Sequence, residues 1–270
     1  MSYLSLKEVS YSYPNGHEAV KNLNLDFELG ESAAVVGQNG AGKTTAVKMM
    51  NGLLRPSEGL VLLEGKSIAS MTTAEVSQYV GYVFQNPDEQ IFQDTIYKEI
   101  AFGLKKKKLK KDDINRIVKE AALLCGLEND LEEHPYNLPY SKRKFITIAA
   151  VTAMNPNVII LDEPTAGQDR GSIQRLGEII KELTQNNKTV ITITHDMEFV
   201  ASEFERVIVL ADKQKRKEGT PKEIFWDEEL LSFSDLKQPY ICQLAGLLGH
   251  KDIITIEELL EVRHHETTMD

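Results

Sequence analysis

The sequence has few of the features that mark secreted, metal-binding or disulfide-linked proteins. Only two of its 270 residues are cysteines, Cys125 and Cys242, and they form no CxxC motif and no Cys/His cluster. This scarcity speaks against a zinc site or a disulfide framework and suits a reducing compartment, so we expect both thiols to lie in the core. A chain of this length can bury a full core without either device.

Long apolar runs are also missing. No stretch approaches the roughly 20 apolar residues that a membrane-spanning helix needs, and candidates such as VIIL at residues 158–161 are short and flanked by charge. The first residues, MSYLSLKEVSYSYP, lack the basic and then apolar segments of an export signal. We therefore expect the chain to stay inside the cell and to reach a membrane only through other proteins.

A net positive charge is absent, because 41 acidic residues outnumber 31 basic ones and give a formal charge of −10. Phosphate affinity needs a basic surface, so this balance argues against general nucleic-acid binding. One local exception is the run KKKKLKK at residues 105–111. Such a run is most often the solvated face of a helix, and contact with anionic lipid headgroups is the alternative.

The pattern of apolar residues predicts a mixed α/β core. The first thirty residues alternate apolar and polar positions, which is typical of strands in an antiparallel layer. Later segments, AAVVGQNGAGKTTAVKMMNGLL, VIILDEP and TVITITH, contain near-continuous apolar strands of the kind found in a parallel sheet covered on both faces. We assign residues 1–225 to this core domain.

Two parts of the chain have a helical period instead. Residues 86–156 contain segments such as INRIVKEAALLCGL and predict a helical subdomain inserted between two core strands. Residues 226–270 are acidic and helical, and TIEE at residues 255–258 predicts a capping box at the start of a helix. We expect this last segment to be a small C-terminal helical appendage.

A glycine-rich motif carries the first chemical signal. Residues 37–44, GQNGAGKT, fit GxxxxGK[ST] and lie between a predicted strand and a predicted helix. Glycines let consecutive backbone N–H groups converge on an anion, while a lysine reaches the β- and γ-phosphates and a hydroxyl binds Mg²⁺. A turn without a ligand is the plainer interpretation, but the flanking elements disfavour it. The motif predicts a site for ATP and Mg²⁺ with contacts from Asn39, Gly40, Ala41, Gly42, Lys43, Thr44 and Thr45.

Two carboxylates follow a later strand. Asp162 and Glu163 come at the end of VIIL, at the edge of a parallel sheet where ligands of open α/β folds bind. A solvated strand end is the alternative interpretation of such a pair. With the glycine-rich motif upstream, we expect Asp162 to hold Mg²⁺ and Glu163 to orient or deprotonate the attacking water.

Taken together, these motifs resemble those of ABC-transporter ATPases, and the similarity runs over nearly all of residues 3–225. The resemblance implies a P-loop ABC ATPase fold. It also implies that Gln85, in YVFQNP, acts in catalysis and at the metal, that residues 166–169 form the D-loop, and that His195, in TITHD, contacts the γ-phosphate.

The same resemblance implies an aromatic side chain stacked on adenine near the start of the chain. Tyr13 lies at that position, while Tyr11 alternates with it along the same predicted strand. Either tyrosine could instead be a core residue. We favour Tyr13.

The stretch NPDEQIFQDTIYKEIAFGL at residues 86–104 resembles the energy-coupling-factor importers of vitamins and metal ions, including the cobalt type. That resemblance implies an ATPase subunit on the cytoplasmic face of the cell membrane. Its implied partners are a second ABC ATPase, often a different chain, and a transmembrane coupling protein with a separate substrate-binding membrane subunit. The C-terminal segment resembles an extension that helps join the two ATPases.

The sequence departs from the family at the signature motif, which normally reads LSGGQ and here reads LPYSK at residues 138–142. In the family this loop contacts the γ-phosphate of ATP held by the opposite subunit. Pro139 offers neither a hydroxyl nor an N–H, and Tyr140 adds bulk where the backbone must approach closely. A harmless variant is one interpretation. We favour an asymmetric heterodimer in which a partner supplies a normal signature.

Two rival classes fit the sequence less well. A soluble ABC protein acting on nucleic acid or ribosomes would carry long heptad arms or two cassettes in one chain, and neither pattern is present. A P-loop kinase or GTPase would leave Gln85, the D-loop and His195 without a role, and no NKxD motif is present.

Overall fold

The computed structural model describes residues 2–269, and for residues 263 and 265–269 it describes the backbone only. Its strands are β1 (Leu4–Ser12), β2 (Glu18–Phe27), β3 (Ser32–Val36), β4 (Glu58–Leu63), β5 (Lys66–Ser67), β6 (Val80–Val83), β7 (Val158–Asp162), β8 (Thr189–Ile193), β9 (Arg206–Ala211) and β10 (Gln214–Gly219). Its helices are α1 (Lys43–Met50), α2 (Thr73–Val76), α3 (Ile96–Ala101), α4 (Lys111–Leu124), α5 (Tyr140–Ala153), α6 (Arg170–Gln185), α7 (Met197–Glu203), α8 (Pro221–Phe225), α9 (Glu228–Phe233), α10 (Tyr240–Leu247) and α11 (Ile256–Met269).

The strands form two sheets. An antiparallel sheet has the order β2-β1-β4-β5, and a larger one has the order β10-β9-β3-β8-β7-β6. Within the larger sheet, β9, β3, β8, β7 and β6 are parallel, and β10 pairs antiparallel with β9. The predicted mixed α/β fold with an antiparallel layer is therefore confirmed.

Both faces of the larger sheet are buried. In β3, Ala34 and Val36 belong to one core cluster, while Ala33 and Val35 belong to the other. The first cluster contains the helical segment between β6 and β7, and the second contains the antiparallel sheet and α1. Because successive strand residues point to opposite faces, a sheet covered on both sides needs near-continuous apolar runs, as the sequence has.

Helices α3, α4 and α5 follow one another between β6 and β7 and pack together in the first core cluster. This agrees with the helical period of residues 86–156. The C-terminal helices also contact this cluster, through Leu231 and Cys242. The division of the chain into domains at residue 225 stays a prediction.

The lysine-rich run at residues 105–111 does not form a helix face. Leu104–Lys106 is a single 3₁₀ turn, Lys108 has a left-handed backbone with φ of 48°, and α4 begins only at Lys111. A left-handed residue ends a right-handed helix, so the predicted helix face is wrong, while the predicted exposure of the run to solvent is confirmed. The Lys107 ammonium donates to the Met154 carbonyl at 2.7 Å.

The C-terminal capping box is only half formed. The Thr255 hydroxyl accepts the Glu258 N–H at 3.2 Å, as predicted. The Glu258 carboxylate accepts the N–H of Ile254 at 2.8 Å and the ammonium of Lys222 at 2.9 Å. The glutamate therefore reaches back one residue further than a capping box requires and also joins α11 to α8.

Cys125 and Cys242 are both buried, which confirms the expectation of core thiols. Burial raises the pKa of the Cys242 thiol to about 11. In the part of the chain that the structure describes, no helix combines the length and the apolar character needed to cross a membrane.

Phe225 gives a test of the packing between α8 and the core. It is fully buried in the first cluster, so Phe225→Ala should lower the free energy of unfolding by about 3–5 kcal/mol. Leu123→Ala is the matched control, because Leu123 is 61% exposed on α4 and its truncation should cost at most about 0.5 kcal/mol. Urea unfolding measures both, and equal effects would show that α8 is not part of the core.

Candidate active site

The glycine-rich motif forms a tight turn between β3 and α1. Gly37 has φ of 147°, and a Cβ there would lie 2.0 Å from the Leu210 carbonyl oxygen. Gly42 precedes α1 with φ of 97°, and a Cβ there would lie 2.5 Å from the Ala19 carbonyl oxygen. Both positions therefore require glycine, and the turn that they permit directs the first N–H groups of α1 toward one cleft.

The lysine of the motif is buried beneath this turn. The Lys43 ammonium donates to the carbonyls of Gly37 at 2.7 Å and Gln38 at 3.0 Å. Lys43 is only 6% exposed, and its desolvation lowers the pKa of the ammonium. A cation is thus held at the floor of the cleft, within the loop whose N–H groups surround an anion site.

Asp162 closes β7 next to this loop. It is 4% exposed, and the phenol of Tyr82, on β6, donates to its Oδ2 at 2.5 Å. Desolvation raises the pKa of the Asp162 carboxyl, while the Tyr82 hydrogen bond and nearby lysines favour the ionised form. Strand pairing fixes the position, because Asp162 is opposite Ile193 of β8.

Glu163 occupies a strained position just past the strand. Its φ is 45°, a left-handed conformation that is uncommon for a residue other than glycine. Its N–H donates to the Ile193 carbonyl at 2.8 Å, and its Oε2 accepts the His195 N–H at 3.2 Å. The His195 Nε2 lies 3.4 Å from Glu163 Oε1. Such strain is common at functional sites because it aims a side chain out of the regular strand direction.

Nearly all of the predicted site residues line one cleft of about 520 Å³. Its lining comprises Tyr13, His17, Ala19, Asn39, Gly40, Gly42, Lys43, Thr44, Thr45, Gln85, Asp162, Glu163 and His195. Ala41 is the one predicted site residue outside this lining, and it is buried in the second core cluster. The residues meet because the carboxyl ends of β3, β6, β7 and β8 lie at one edge of the sheet.

The oxygen-bearing side chains predicted to hold the metal also share a smaller hollow. Thr44, Gln85 and Asp162 line this space of about 260 Å³, together with Tyr82 and Glu89. Hydroxyl, amide and carboxylate oxygens are the ligands that Mg²⁺ prefers. The donor set of this hollow therefore fits a magnesium ion.

The cleft changes the proton affinity of the groups that line it. Burial raises the pKa of Glu163 from its ordinary value of 4.5 to about 6. Burial also lowers the pKa of His195, and the nearby Lys43 charge acts in the same direction. Near neutral pH these shifts leave a carboxylate of raised basicity beside a neutral imidazole.

The two candidate tyrosines occupy different environments. Tyr13 is 37% exposed at the mouth of the cleft, and its hydroxyl lies 3.0 Å from the Thr45 hydroxyl. Tyr11 packs against the second core cluster and meets Tyr13 edge-on, with ring centroids 5.1 Å apart. Only Tyr13 presents a ring to the cleft.

The signature segment at residues 138–142 does not contribute to this lining in the described chain. Pro139 is the N-cap of α5, which begins at Tyr140. The Tyr140 ring lies against the D-loop, so close that a Cβ on Gly167 would be 3.3 Å from it. The guanidinium of Arg143 lies over the same ring at 5.6 Å.

Sequence reasoning missed the roles of two residues that hold the site together. Tyr82 binds Asp162, and Lys144 is fully buried with its ammonium on the carbonyls of Phe84 and Gln85. Lys144 carried one sequence signal, since it is the last of three consecutive basic residues at the end of the signature segment. Tyr82 gave none, because an aromatic residue in a strand is ordinary core material.

Glu163 predicts a pH-dependent stability. A carboxyl whose pKa is raised by folding stabilises the fold at low pH, and this contribution is lost as the pH rises through about 6. Glu163→Gln should therefore unfold with a free energy about 1–2 kcal/mol higher than wild type at pH 8. The difference should shrink as the pH falls toward 5.

Denaturant unfolding at several pH values measures this difference. Glu132→Gln, at an exposed position in the 131–133 segment, is the matched control and should follow the wild type throughout. A Glu163→Gln variant less stable than wild type at pH 8 would contradict the assignment of a desolvated carboxylate.

Comparison with known proteins places these features in a family. The sequence profile of the ABC transporter family matches residues 20–166. The energy-coupling factor transporter ATP-binding protein EcfA of Methanocaldococcus jannaschii is 38% identical over 259 residues, covering 95% of this chain and 93% of its own length. EcfA of Methanococcus maripaludis is 37% identical with the same coverage.

Some relatives are longer. The chain spans 45% of an ABC transporter ATP-binding protein of Caldanaerobacter subterraneus, to which it is 39% identical over 257 residues, and 42% of a Methanosarcina mazei relative. It spans less than half the length of these two curated relatives.

Solved structures agree with the sequence matches. CbiO1 of Clostridium perfringens, described as part of the ABC transporter complex CbiONQ, superimposes with a TM-score of 0.79 at 33% identity, over 91% of this chain and 99% of its own. The ATP-binding cassette MJ0796, solved as a dimer and in a post-hydrolysis state with ADP and phosphate, gives a TM-score of 0.74 at 26% identity, over 81% of this chain and 98% of its own. The chain belongs to the ABC transporter ATP-binding family, in its energy-coupling-factor branch.

Proposed function

We propose that this chain binds Mg²⁺–ATP and hydrolyses it as an ATPase subunit of an energy-coupling-factor type importer of vitamins or metal ions. The observation that carries the proposal is the single cleft in which the glycine-rich loop, Asp162, Glu163, Gln85 and His195 meet. EcfA, whose name denotes an energy-coupling factor transporter, and CbiO1, which is part of an ABC transporter complex, support it through their similarity over most of this chain.

The nucleotide would lie along the cleft from Tyr13 to α1. The exposed ring of Tyr13 can stack on adenine at the mouth, while the N–H groups of residues 39–45 surround the phosphates. The Lys43 ammonium, which now donates to two loop carbonyls, can donate to the β- and γ-phosphates instead. Burial of this lysine strengthens its attraction to a bound phosphate.

Thr44, Gln85 and Asp162 would hold Mg²⁺, because they present three oxygen donors to one hollow. When bound, the ion supplies charge that neutralises the phosphate oxygens. The Tyr82 hydroxyl orients the Asp162 carboxylate by donating to one of its oxygens, which leaves the other oxygen available to a ligand.

Glu163 would act on the attacking water. Its pKa of about 6 makes it ionised at neutral pH yet more basic than an ordinary glutamate, as a general base requires. The His195 N–H fixes the carboxylate by a 3.2 Å hydrogen bond. The imidazole of His195, at the same rim of the cleft, can donate to the γ-phosphate.

Replacing Glu163 tests the catalytic proposal. Glu163→Gln removes the base and keeps the shape, so it should lower the ATP turnover number by about 100-fold or more while ATP still binds. Steady-state hydrolysis and nucleotide affinity, measured on the same preparation together with Glu132→Gln, separate the two effects. Unchanged turnover in Glu163→Gln would refute the role of Glu163 as base.

The working assembly would contain two ATPase subunits, each contributing its signature segment to the ATP of the other. Support comes from the position of residues 138–142 outside this chain's own cleft and from the dimeric cassette MJ0796. The N-cap Pro139 and the Tyr140 ring alter the surface at which a partner's γ-phosphate would be bound. We therefore favour a heterodimer in which this chain's complete cleft faces a partner with a normal signature.

Restoring the signature tests this asymmetry. The purified chain alone should hydrolyse ATP well below about 1 s⁻¹, and the triple substitution Pro139→Ser, Tyr140→Gly, Ser141→Gly should raise turnover about tenfold or more. Adding Glu163→Gln to the triple variant should abolish the gain, which excludes a contaminating ATPase. A wild-type homodimer turning over at about 1 s⁻¹ or faster would overturn the argument from residues 138–142.

A second surface would receive the transmembrane coupling protein. An apolar groove of about 830 Å³ lies beside Gln90 and between the larger sheet and the helices that follow it, and its exposed aromatic rings are Phe92 and Phe102. Lys106 and Lys107 of the lysine-rich run also line this groove. Docking there would place the chain at the cytoplasmic face of the membrane without a spanning helix of its own.

The C-terminal helices would add to the contact between the two ATPases. Several large apolar side chains of α10 and α11 are exposed, and Leu247 is 86% exposed. The others are Leu244, Ile256 and Leu260, and Leu248 directly after α10 is exposed as well. Large exposed apolar side chains on neighbouring elements are typical of interaction sites, so this surface is our candidate for the dimer contact.

A further inference from the structure

Two neighbouring cations of α5 hold the segment that follows β6. Lys144 is fully buried, and its ammonium donates to the carbonyls of Phe84 at 2.8 Å and Gln85 at 2.5 Å. The preceding residue, Arg143, donates to both carboxylate oxygens of Asp88, at 2.7 and 2.9 Å. The segment carrying Gln85 is therefore held at two points by one turn of one helix.

The Lys144 contact constrains the position of the backbone more strictly than the Arg143 contact does. A lysine without solvent exposure is rare, and it persists only where partners fix its ammonium group. Here the partners are backbone carbonyls, so their positions depend on the chain path at Phe84 and Gln85 rather than on a mobile side chain. A shift of the Gln85 backbone would remove one of the two carbonyl hydrogen bonds of the buried ammonium, which is unfavourable where water cannot replace it.

The Arg143 contact ties the same segment to the signature. The Arg143 guanidinium lies over the rings of Tyr136 and Tyr140, at 5.2 and 5.6 Å from their centroids. Tyr140 in turn lies against Gly167 of the D-loop. The start of α5 thus contacts the signature, the D-loop and the Gln85 segment within two helical turns.

We propose that Lys144 is a positioning residue for Gln85, which it holds toward the magnesium hollow by fixing the Phe84–Gln85 backbone to the signature helix. This inference rests on the proposed place of Gln85 at the metal. It adds a physical link between the two surfaces on either side of α5. One surface would meet the partner's nucleotide, and the other would receive the coupling protein.

The test compares ATP affinity with excess Mg²⁺ and with EDTA, by calorimetry on the full chain. In Lys144→Met the gain in affinity due to Mg²⁺ should fall about tenfold, as when a group that orients a metal ligand is lost. Metal-free affinity should stay within about twofold, because the phosphate loop is untouched. Lys144→Arg, which keeps a charged donor, should recover part of the gain.

The sign of the change in the Mg²⁺ gain distinguishes a positioning role of Lys144 from a purely electrostatic one. Asp162 and Glu163 lie close enough to feel the Lys144 charge. Removing a positive charge near these carboxylates would by itself tighten Mg²⁺ binding. A Lys144→Met variant with an unchanged or larger Mg²⁺ gain would therefore overturn the proposal. Lys119→Met, at an exposed position on α4, is the matched control and should leave the gain unchanged.

Gln85→Ala distinguishes this inference from the proposed function. If Gln85→Ala keeps the full Mg²⁺ gain, then Gln85 is not at the metal, and both the proposed role of Gln85 and the inference fail. If Gln85→Ala loses the gain and Lys144→Met keeps it, only the inference fails. Loss in both variants supports the inference.

Folding of Lys144→Met is checked by thermal unfolding and by hydrogen exchange of residues 84–90. Faster exchange confined to this segment, in an otherwise folded protein, is the expected signature of a lost tether. If Lys144→Met does not fold, Lys144→Gln replaces it, because the amide can still serve one carbonyl. A folded Lys144→Gln variant in which residues 84–90 exchange faster than in the wild type while the Mg²⁺ gain stays unchanged would overturn the proposal.

Discussion

Most of the buried charge described in this protein lies in one region: Lys43, Asp162 and Glu163 line the cleft, and the fully buried Lys144 lies close enough to feel both carboxylates. Lys43, Lys144 and Asp162 are each at most 6% exposed, and the Glu163 side chain is 14% exposed. None of these charges would be tolerated alone, because desolvation of an unpaired ion costs several kcal/mol. Backbone carbonyls and opposite charges compensate them, and the rest of the fold keeps these partners in place.

The parallel sheet provides this compensation. Its central strands end at one edge, so the glycine-rich loop after β3, the carboxylates after β7 and His195 after β8 converge without any long connection. The helices between β6 and β7 supply Lys144 from the opposite side. The pairing of β7 with β6 and β8 sets the register that places Asp162 opposite Ile193 and keeps the charged residues in their relative positions.

The same arrangement explains how an altered signature segment can coexist with a cleft that contains nearly all of its predicted residues. Pro139 and Tyr140 lie at the start of α5 and are absent from the lining of this chain's cleft among the described residues. A change there leaves the lining of this chain's own cleft intact, and under the proposed function it would alter the nucleotide site of a partner. Further along α5, Lys144 and Arg143 still bind the segment that carries Gln85.

The sequence by itself determined the mixed α/β fold, the family and the loop at residues 37–44. Each depends on local rules: strand periodicity, the need for glycine at Gly37 and Gly42, and a fixed motif order. It did not reveal the left-handed turn at Lys108, which ended a predicted helix face, because a run of lysines does not indicate where a helix stops.

Only the tertiary structure decided the contacts between distant residues. Tyr82 bonds to Asp162 across 80 positions, and Lys144 reaches Phe84 across 60. It also separated Tyr13, at the mouth of the cleft, from Tyr11, which packs on the core. Strand alternation alone could not decide between the tyrosines. The physical reason is common to these cases: burial and hydrogen-bond partners depend on which elements pack together, and a local pattern does not contain that information.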